Sequence, residues 1–274
     1  MAMSNASTRG GTVAIIRSVL AATCACTERD LTCDSIVIVL ACDVPGRLRF
    51  PLWSKPLLVV TMGAGVVVSC HPDRLAWARA TLGPCTRDEV FSAPIMGPLA
   101  RYVERDGQAL AGPVLKYACA GSEFRPATVP AGVDVRLVEG EGIEALYAYA
   151  GFDEALAYRP HSSRPTMLAA VATRGSAVVG IAAASADTDV LWQIGVSVVA
   201  AERGRGIGRA VVGQLTEAIL SRGKVPYYST TVSNLRSRAV ALGVGYWPVW
   251  TELYARDTES RATSAGGSGG PSHP

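Results

Sequence analysis

The chain has 274 residues, 49% of them hydrophobic, and its 26 Lys and Arg against 23 Asp and Glu leave a formal charge of only +3. That length and apolar content suffice for one large domain or two ordinary ones, and so balanced a charge excludes wholesale nucleic-acid binding, which needs a strongly basic face. No apolar run reaches the roughly 18 to 20 residues that cross a bilayer, so no membrane association is expected.

The segment closest to a targeting signal, TVAIIRSVLAATCAC from Thr12 to Cys26, carries Arg17 inside its apolar stretch and lacks a small-residue cleavage site. A cytoplasmic protein is expected. Val13, Ile16, Val19 and Leu20 recur at helical spacing and predict a first helix from Thr12 to about Glu28. SIVIVLA, from Ser35 to Ala41, reads as a buried strand, and LLVVTMGAGVVVSC, from Leu57 to Cys70, reads as a hairpin turning at Met62 to Gly65. HPDRLAWARATLG then predicts a helix with Pro72 in its first turn and Gly83 at its end. Beyond Phe91, prolines and glycines at short intervals read as irregular chain.

Cys24, Cys26, Cys33, Cys42, Cys70, Cys85 and Cys119 are all in the N-terminal part of the chain. Their odd number and the lack of C-x-x-C pairs argue against a disulfide framework and a zinc site, so no metal is expected. They read as small buried hydrophobes, with a reactive thiol near Cys24 and Cys26 as the alternative. The Gly- and Pro-rich stretch Gly121 to Gly132 reads as a linker. It separates an N-terminal α/β lobe at 12–125, with an excess of positive charge, from a second lobe at 131–256; the Gly, Ser and Pro-rich residues 257–274 read as a disordered tail.

The second lobe has a sharper pattern. VDVRLVE predicts a strand, GIEALYAYAGFDEAL a helix, and Thr166 to Ala186 two strands around Arg174-Gly175-Ser176. Val190 to Ala200 is a long strand, followed by a helix with Ile207, Val211, Leu215, Ala218 and Ile219 on one face and Gly223 as its stop. VPYYSTTV is a strand, Asn234 opens a short helix, and WPVWTELYA is a last strand that could pair across a two-fold axis as a homodimer. The order β-α-β-β-β-α-β-α-β is that of a mixed α/β sheet.

Between the long strand and its helix stands Arg203-Gly204-Arg205-Gly206-Ile207-Gly208. A helix N-terminus presents unpaired N–H groups and the positive end of the helix dipole, and glycines let an anion approach the backbone. Arginines there add charge where it is already positive, which suits a bound pyrophosphate. The spacing G-x-G-x-G is not the dinucleotide fingerprint, and Gly208 is followed by Arg209 and Ala210 where a Walker loop needs Lys and Ser or Thr.

The pattern R-x-x-G-x-G, with the preceding hairpin and long strand and the following Asn234 helix and Gly245-Tyr246 pair, resembles the acyl-CoA-binding motif of the GNAT superfamily of N-acetyltransferases over about Val133 to Ala255. The resemblance implies a GNAT-type, mostly antiparallel sheet flanked by helices. The helix, strand, hairpin and helix of the N-terminal α/β lobe are compatible with a second, degenerate GNAT-like copy in a tandem arrangement. It implies that backbone groups of Val196 and Val198 pair with the pantetheine arm, that amides from Arg203 through Gly208 (Arg203, Gly204, Arg205, Gly206, Ile207, Gly208) hold the pyrophosphate, and that Asn234 contacts the CoA arm. The activity implied is transfer of an acetyl or short acyl group from acetyl-CoA, or another acyl-CoA, to a small-molecule amine acceptor.

Acyl transfer to an amine needs a neutral nitrogen, an oxyanion stabiliser and a proton source for the thiolate. The chain departs from the family on two of these points. Val190, Leu191, Trp192 and Gln193 occupy the strand where a Glu base is usual, and Ala241 stands where a Tyr acid is usual. His161, Gln193 and Tyr228 are therefore the catalytic candidates, with Trp192 and Asp187 as acceptor contacts; Asp187 and Asp189 also suit a simple hairpin turn, and His161 a structural loop. Two other readings stay open: a GNAT-fold acyltransferase charged by the phosphopantetheine arm of an acyl carrier protein, and a non-catalytic acyl-CoA-binding module.

Overall fold

The computed structural model describes residues 5–49, 54–156 and 162–258. In chain order the elements are α1 (Arg9–Cys24), β1 (Ile36–Leu40), β2 (Leu57–Thr61), β3 (Val66–Cys70), α2 (Pro72–Thr81), α3 (Arg87–Val90), α4 (Ala93–Glu104) and β4 (Gln108–Ala118). There follow β5 (Asp134–Glu139), α5 (Gly142–Leu146), β6 (Thr166–Arg174), β7 (Ala177–Ala186), β8 (Leu191–Val198), α6 (Ile207–Ser221), β9 (Val225–Thr231), α7 (Leu235–Val244) and β10 (Trp247–Asp257). The proposed tail, 257–274, lies outside the described residues from position 259 onward.

Two compact units result, each discontinuous in sequence. The larger comprises Met1–Thr23, Asp43–Phe50 and Val114–Thr251; the smaller comprises Cys24–Cys42, Pro51–Pro113 and Glu252–Pro274. Most of α1 therefore belongs with the C-terminal sequence. The stretch Gly121 to Gly132, which the composition marks as a linker, lies inside the larger unit, where the Arg125 N–H donates to the Val244 carbonyl at 2.9 Å. Glycine and proline there signal backbone that is neither helix nor strand, and such backbone still docks when its N–H groups find carbonyls.

The larger unit is a mixed α/β layer structure with strand order β10-β4-β9-β8-β7-β6-β5. Neighbours β5 through β8 are antiparallel, as are β4 and β9, whereas β8 and β9 run parallel. On one face Ile207, Val211, Leu215 and Ile219 of α6 pack over Ala170, Ala172, Ala182 and Ala184. Alanines on the sheet let the helix approach closely, and each large aliphatic buried there contributes about 1.5 to 3 kcal/mol. On the other face Ile143 and Leu146 of α5, with Phe152 and Leu156, cover Ala169, Val171, Ile181 and Ala183. Cys119 joins the α6 side of the core, and burial raises its thiol pKa to about 12.

One register detail positions the site. Pairing of β8 with β9 runs from Leu191↔Val225 to Ile194↔Tyr228 and stops. Beyond it, Gly195 to Val198 pair with β7 and Ser229 to Thr231 pair with β4. The two central strands thus diverge, leaving one edge of β8 open.

In the smaller unit β1 and β3 are parallel and β2 and β3 antiparallel, in the order β1-β3-β2-β10. The sequence after Phe91, read as irregular, instead forms α4 and β4. Pro98 lies inside α4, and the helix persists because Leu99 and Val103 are fully buried in the same core as Val59 and Val68. Packing of that kind outweighs the roughly 3 kcal/mol cost of an interior proline.

Candidate functional site

Gly204 and Gly206 take positive φ of 77° and 85°, and Gly206 is the N-cap of α6 with no side-chain capping bond. The left-handed turn is open to glycine without strain. The Arg203 N–H reaches the Ala200 carbonyl and the Ala210 N–H the Gly206 carbonyl, while the amides from Gly204 to Arg209 find no acceptor among the described residues. Six unpaired donors at the positive end of a 15-residue helix form a ready seat for an anion.

The two arginines do different work. Arg203 Nε donates to the Val198 carbonyl at 3.0 Å and so ties the turn back to β8. Arg205 lies 3.5 Å from Glu202, which also meets Arg174 at 3.3 Å. Arg205 is exposed, so that pair adds little to stability and leaves the guanidinium free to reorient.

Next to the turn is the open edge of β8. The Val199 N–H donates to the Val179 carbonyl on β7. Alternation in an antiparallel ladder then directs the N–H and C=O of Val198 and Val196 to the opposite edge, where β9 has diverged. The Val198 carbonyl is already taken by Arg203, leaving Val196 as the free main-chain pair.

A polar row crosses the sheet where β8 and β9 are still paired. Ser185 faces Gln193, and Gln193 faces Tyr227. Asp187, two residues beyond Ser185, is fully buried and accepts from Ser185 Oγ at 2.8 Å, from Arg164 Nη1 at 3.2 Å and from the Tyr227 hydroxyl. Gln193 Oε1 lies 2.9 Å from the same hydroxyl and 3.4 Å from Arg164 Nη1. The Tyr227 ring tilts against Trp250 at 5.5 Å, with Lys116 Nζ 5.7 Å from the ring centre. Neighbouring residues alternate, so Trp192, Ile194 and Tyr228 point to the α6 core and the row lies on the α5 face.

On the α6 face the Tyr228 hydroxyl shares a 2.7 Å hydrogen bond with Ser237 Oγ. The Ser237 N–H in turn donates to Asn234 Oδ1 at 3.1 Å, the N-cap bond of α7. Burial pushes the Tyr228 pKa up, as it does that of Tyr246. A phenol whose folded pKa is raised contributes stability that is complete below its unfolded value of about 10 and is lost as pH rises through the folded value. Phenolate absorbance during alkaline titration should therefore show at least two of the nine tyrosines ionising together with unfolding. Two buried tyrosines that titrate normally in the folded protein would contradict this.

Of the residues singled out from sequence, Gln193 and Asp187 come together, Tyr228 stands on the opposite face, and His161 lies outside the described residues. Trp192 is buried in the α6 core, so it does not reach the polar row as an acceptor contact. Asp187 is more than turn chemistry; Asp189 is the exposed partner of Arg49 at 2.6 Å. From the sequence, Tyr228 is preferred to its neighbour Tyr227, and Arg164 and Ser237 carry no signal. The alternation of Tyr227 with Tyr228 was the available signal, but which of them meets Asp187 depends on cross-strand register. Among the described residues no group of three or more His, Cys, Asp or Glu could hold a metal, and no helix is long and apolar enough to cross a membrane.

Residues 139–246 match the family model described as acetyltransferase (GNAT) family. No curated protein sequence matches the chain. Among solved structures, a GCN5-related N-acetyltransferase-like protein from Streptococcus suis is similar at 19% identity and a TM-score of 0.45, over 59% of this chain and 68% of that one. A GCN5-related N-acetyltransferase from Kribbella flavida is similar at 22% identity and 0.43, over 58% and 63%. One from Sphaerobacter thermophilus is similar at 18% identity and 0.45, over 70% and 72%.

Proposed function

We propose that the protein, whose residues 139–246 match the GNAT acetyltransferase family model, moves an acetyl or short acyl group from a CoA thioester to the amine of a small-molecule acceptor. The observation that carries this reading is the run of unpaired amides from Gly204 to Arg209 beside the open edge of β8. Together they offer a seat for a pyrophosphate and, one strand away, main-chain partners for an extended amide-bearing arm.

The donor supplies an activated acyl group; the chain supplies position and proton handling. The amides of Gly204 to Arg209 hold the diphosphate, Arg205 adds a mobile cation, and Val196 pairs with the arm as a neighbouring strand would. Asn234, with Oδ1 committed to the cap, keeps its Nδ2 for the arm. The Tyr228 hydroxyl, kept protonated by burial, is the proton donor for the leaving thiolate. The acceptor nitrogen comes from the α5 face, beside Gln193. Proximity and orientation supply much of the acceleration in such a transfer, so the lack of a carboxylate base on β8 is compatible with turnover.

Because the Val196 contact is main-chain, Val196→Pro should weaken acetyl-CoA binding roughly tenfold or more while Val196→Ala changes it little. Calorimetry of the two variants checks this; equal effects would move the arm elsewhere. The function itself is tested by free-thiol release from acetyl-CoA with hydrazine, benzylamine and butylamine as probe acceptors. Amine-dependent release supports the transferase; tight acetyl-CoA binding with no amine-dependent release indicates an acyl-CoA-binding module instead.

A further inference from the structure

Tyr227 poses a proton-counting problem. Its oxygen lies within hydrogen-bonding distance of two acceptors, Asp187 Oδ2 and Gln193 Oε1, and a phenol has one proton to give. Asp187 is a carboxylate facing a guanidinium, a serine hydroxyl and the phenol, so the phenol proton goes to it. The oxygen of Tyr227 is then an acceptor facing Gln193. Turning the Gln193 amide over lets Nε2 donate across the 2.9 Å contact; it replaces the 3.4 Å contact with Arg164 by two N–H groups facing each other at that longer distance, while Arg164 Nη1 keeps Asp187. The shorter bond wins, since bonds near 3.5 Å are marginal.

Resting on the donor-site reading above, we infer that Tyr227 and Asp187 are positioning residues that lock the Gln193 amide with its carbonyl oxygen toward the acceptor, and that the site takes amines arriving already neutral. Gln193 is half-buried while Asp187, Tyr227 and Ser185 are buried, so its free amide end is the part of the row an acceptor can meet. An amide oxygen accepts from an N–H and cannot remove a proton from an ammonium. Among the described residues the charged groups around it balance without offering a base: Asp187 is paired with Arg164, Lys116 lies over the Tyr227 ring, and Arg49, whose N–H donates to the Asp187 carbonyl, pairs with Asp189. The acceptor class is therefore a weakly basic amine, such as a hydrazide-like or electron-poor amino group, in preference to an alkylamine.

Acetyl-CoA binding of the wild type, Q193A and Y227F is measured first by calorimetry. Loss of binding in the wild type overturns the donor site itself; retention in all three isolates the acceptor question. Side-chain amide NMR then identifies Gln193 as the pair missing in Q193A. The expected result is a slowly exchanging Gln193 amide proton that shifts and exchanges faster in Y227F; an amide exchanging freely in both overturns the lock. In thiol release, the rising limb of kcat/KM against pH should move with the basicity of hydrazine, benzylamine and butylamine, and Y227F should lower kcat/KM roughly fivefold. A limb fixed at one pH for all three amines reveals an enzyme base and overturns the inference. So does the absence of transfer to all three with acetyl-CoA bound.

Discussion

Gly206→Asp should reduce acetyl-CoA binding at least a hundredfold while the protein stays folded. A Cβ at this position meets only Pro130 Cγ at 3.6 Å, ordinary contact, so the packing of α6 survives. The φ of 85° strains any L-residue by about 1 to 2 kcal/mol, which a nine-residue buried face on α6 tolerates. The carboxylate, however, sits on the amides that would hold a diphosphate, and two anions cannot share that seat. Gly206→Asn separates the causes, because Asn accepts the left-handed conformation more readily and adds no charge. It should bind acetyl-CoA more weakly than the wild type but far better than the Asp variant. Equal loss in both would assign the effect to backbone strain, and no loss in either would remove the diphosphate from this turn.

Gly245→Ala should lower the stability of the larger unit by about 3 kcal/mol or more, a fall in melting temperature of roughly 6 to 12 °C. Gly245 ends α7 in the left-handed conformation, with φ of 102°. A Cβ there would stand 2.0 Å from the Glu123 carbonyl oxygen and 3.2 Å from the Arg125 nitrogen. Both are backbone atoms, fixed because the Arg125 N–H bonds the Val244 carbonyl. Relief would require undocking the stretch from Gly121 to Gly132. A melting temperature within about 2 °C of wild type would mean that this stretch yields easily and is not held as described.

That stretch also shows where sequence reading stops. Strands β6 to β9 and helices α6 and α7 were legible because each announces itself locally: alternation, apolar spacing, Gly175 and Gly223 at turns, Asn234 at a cap. The Arg-Gly turn was legible for the same reason, since its chemistry is confined to consecutive residues. Helix α4 was hidden by Pro94 and Pro98, whose local cost is repaid by burial of Leu99 and Val103 against residues far away in the chain. The association of α1 with the C-terminal sequence has no local signature at all. Nor does the Asp187, Gln193 and Tyr227 row, which exists only because β7, β8 and β9 share one register. A one-residue slip would exchange Tyr227 for Tyr228 and dissolve it.

The most direct test of the donor site is calorimetric titration of the intact protein with acetyl-CoA beside 4′-phosphopantetheine. Acetyl-CoA should bind much more tightly, because only it carries the diphosphate that the amides of Gly204 to Arg209 would hold. Equal affinity for the two, or no binding of acetyl-CoA, would contradict it and direct the search for the acyl donor to a carrier protein.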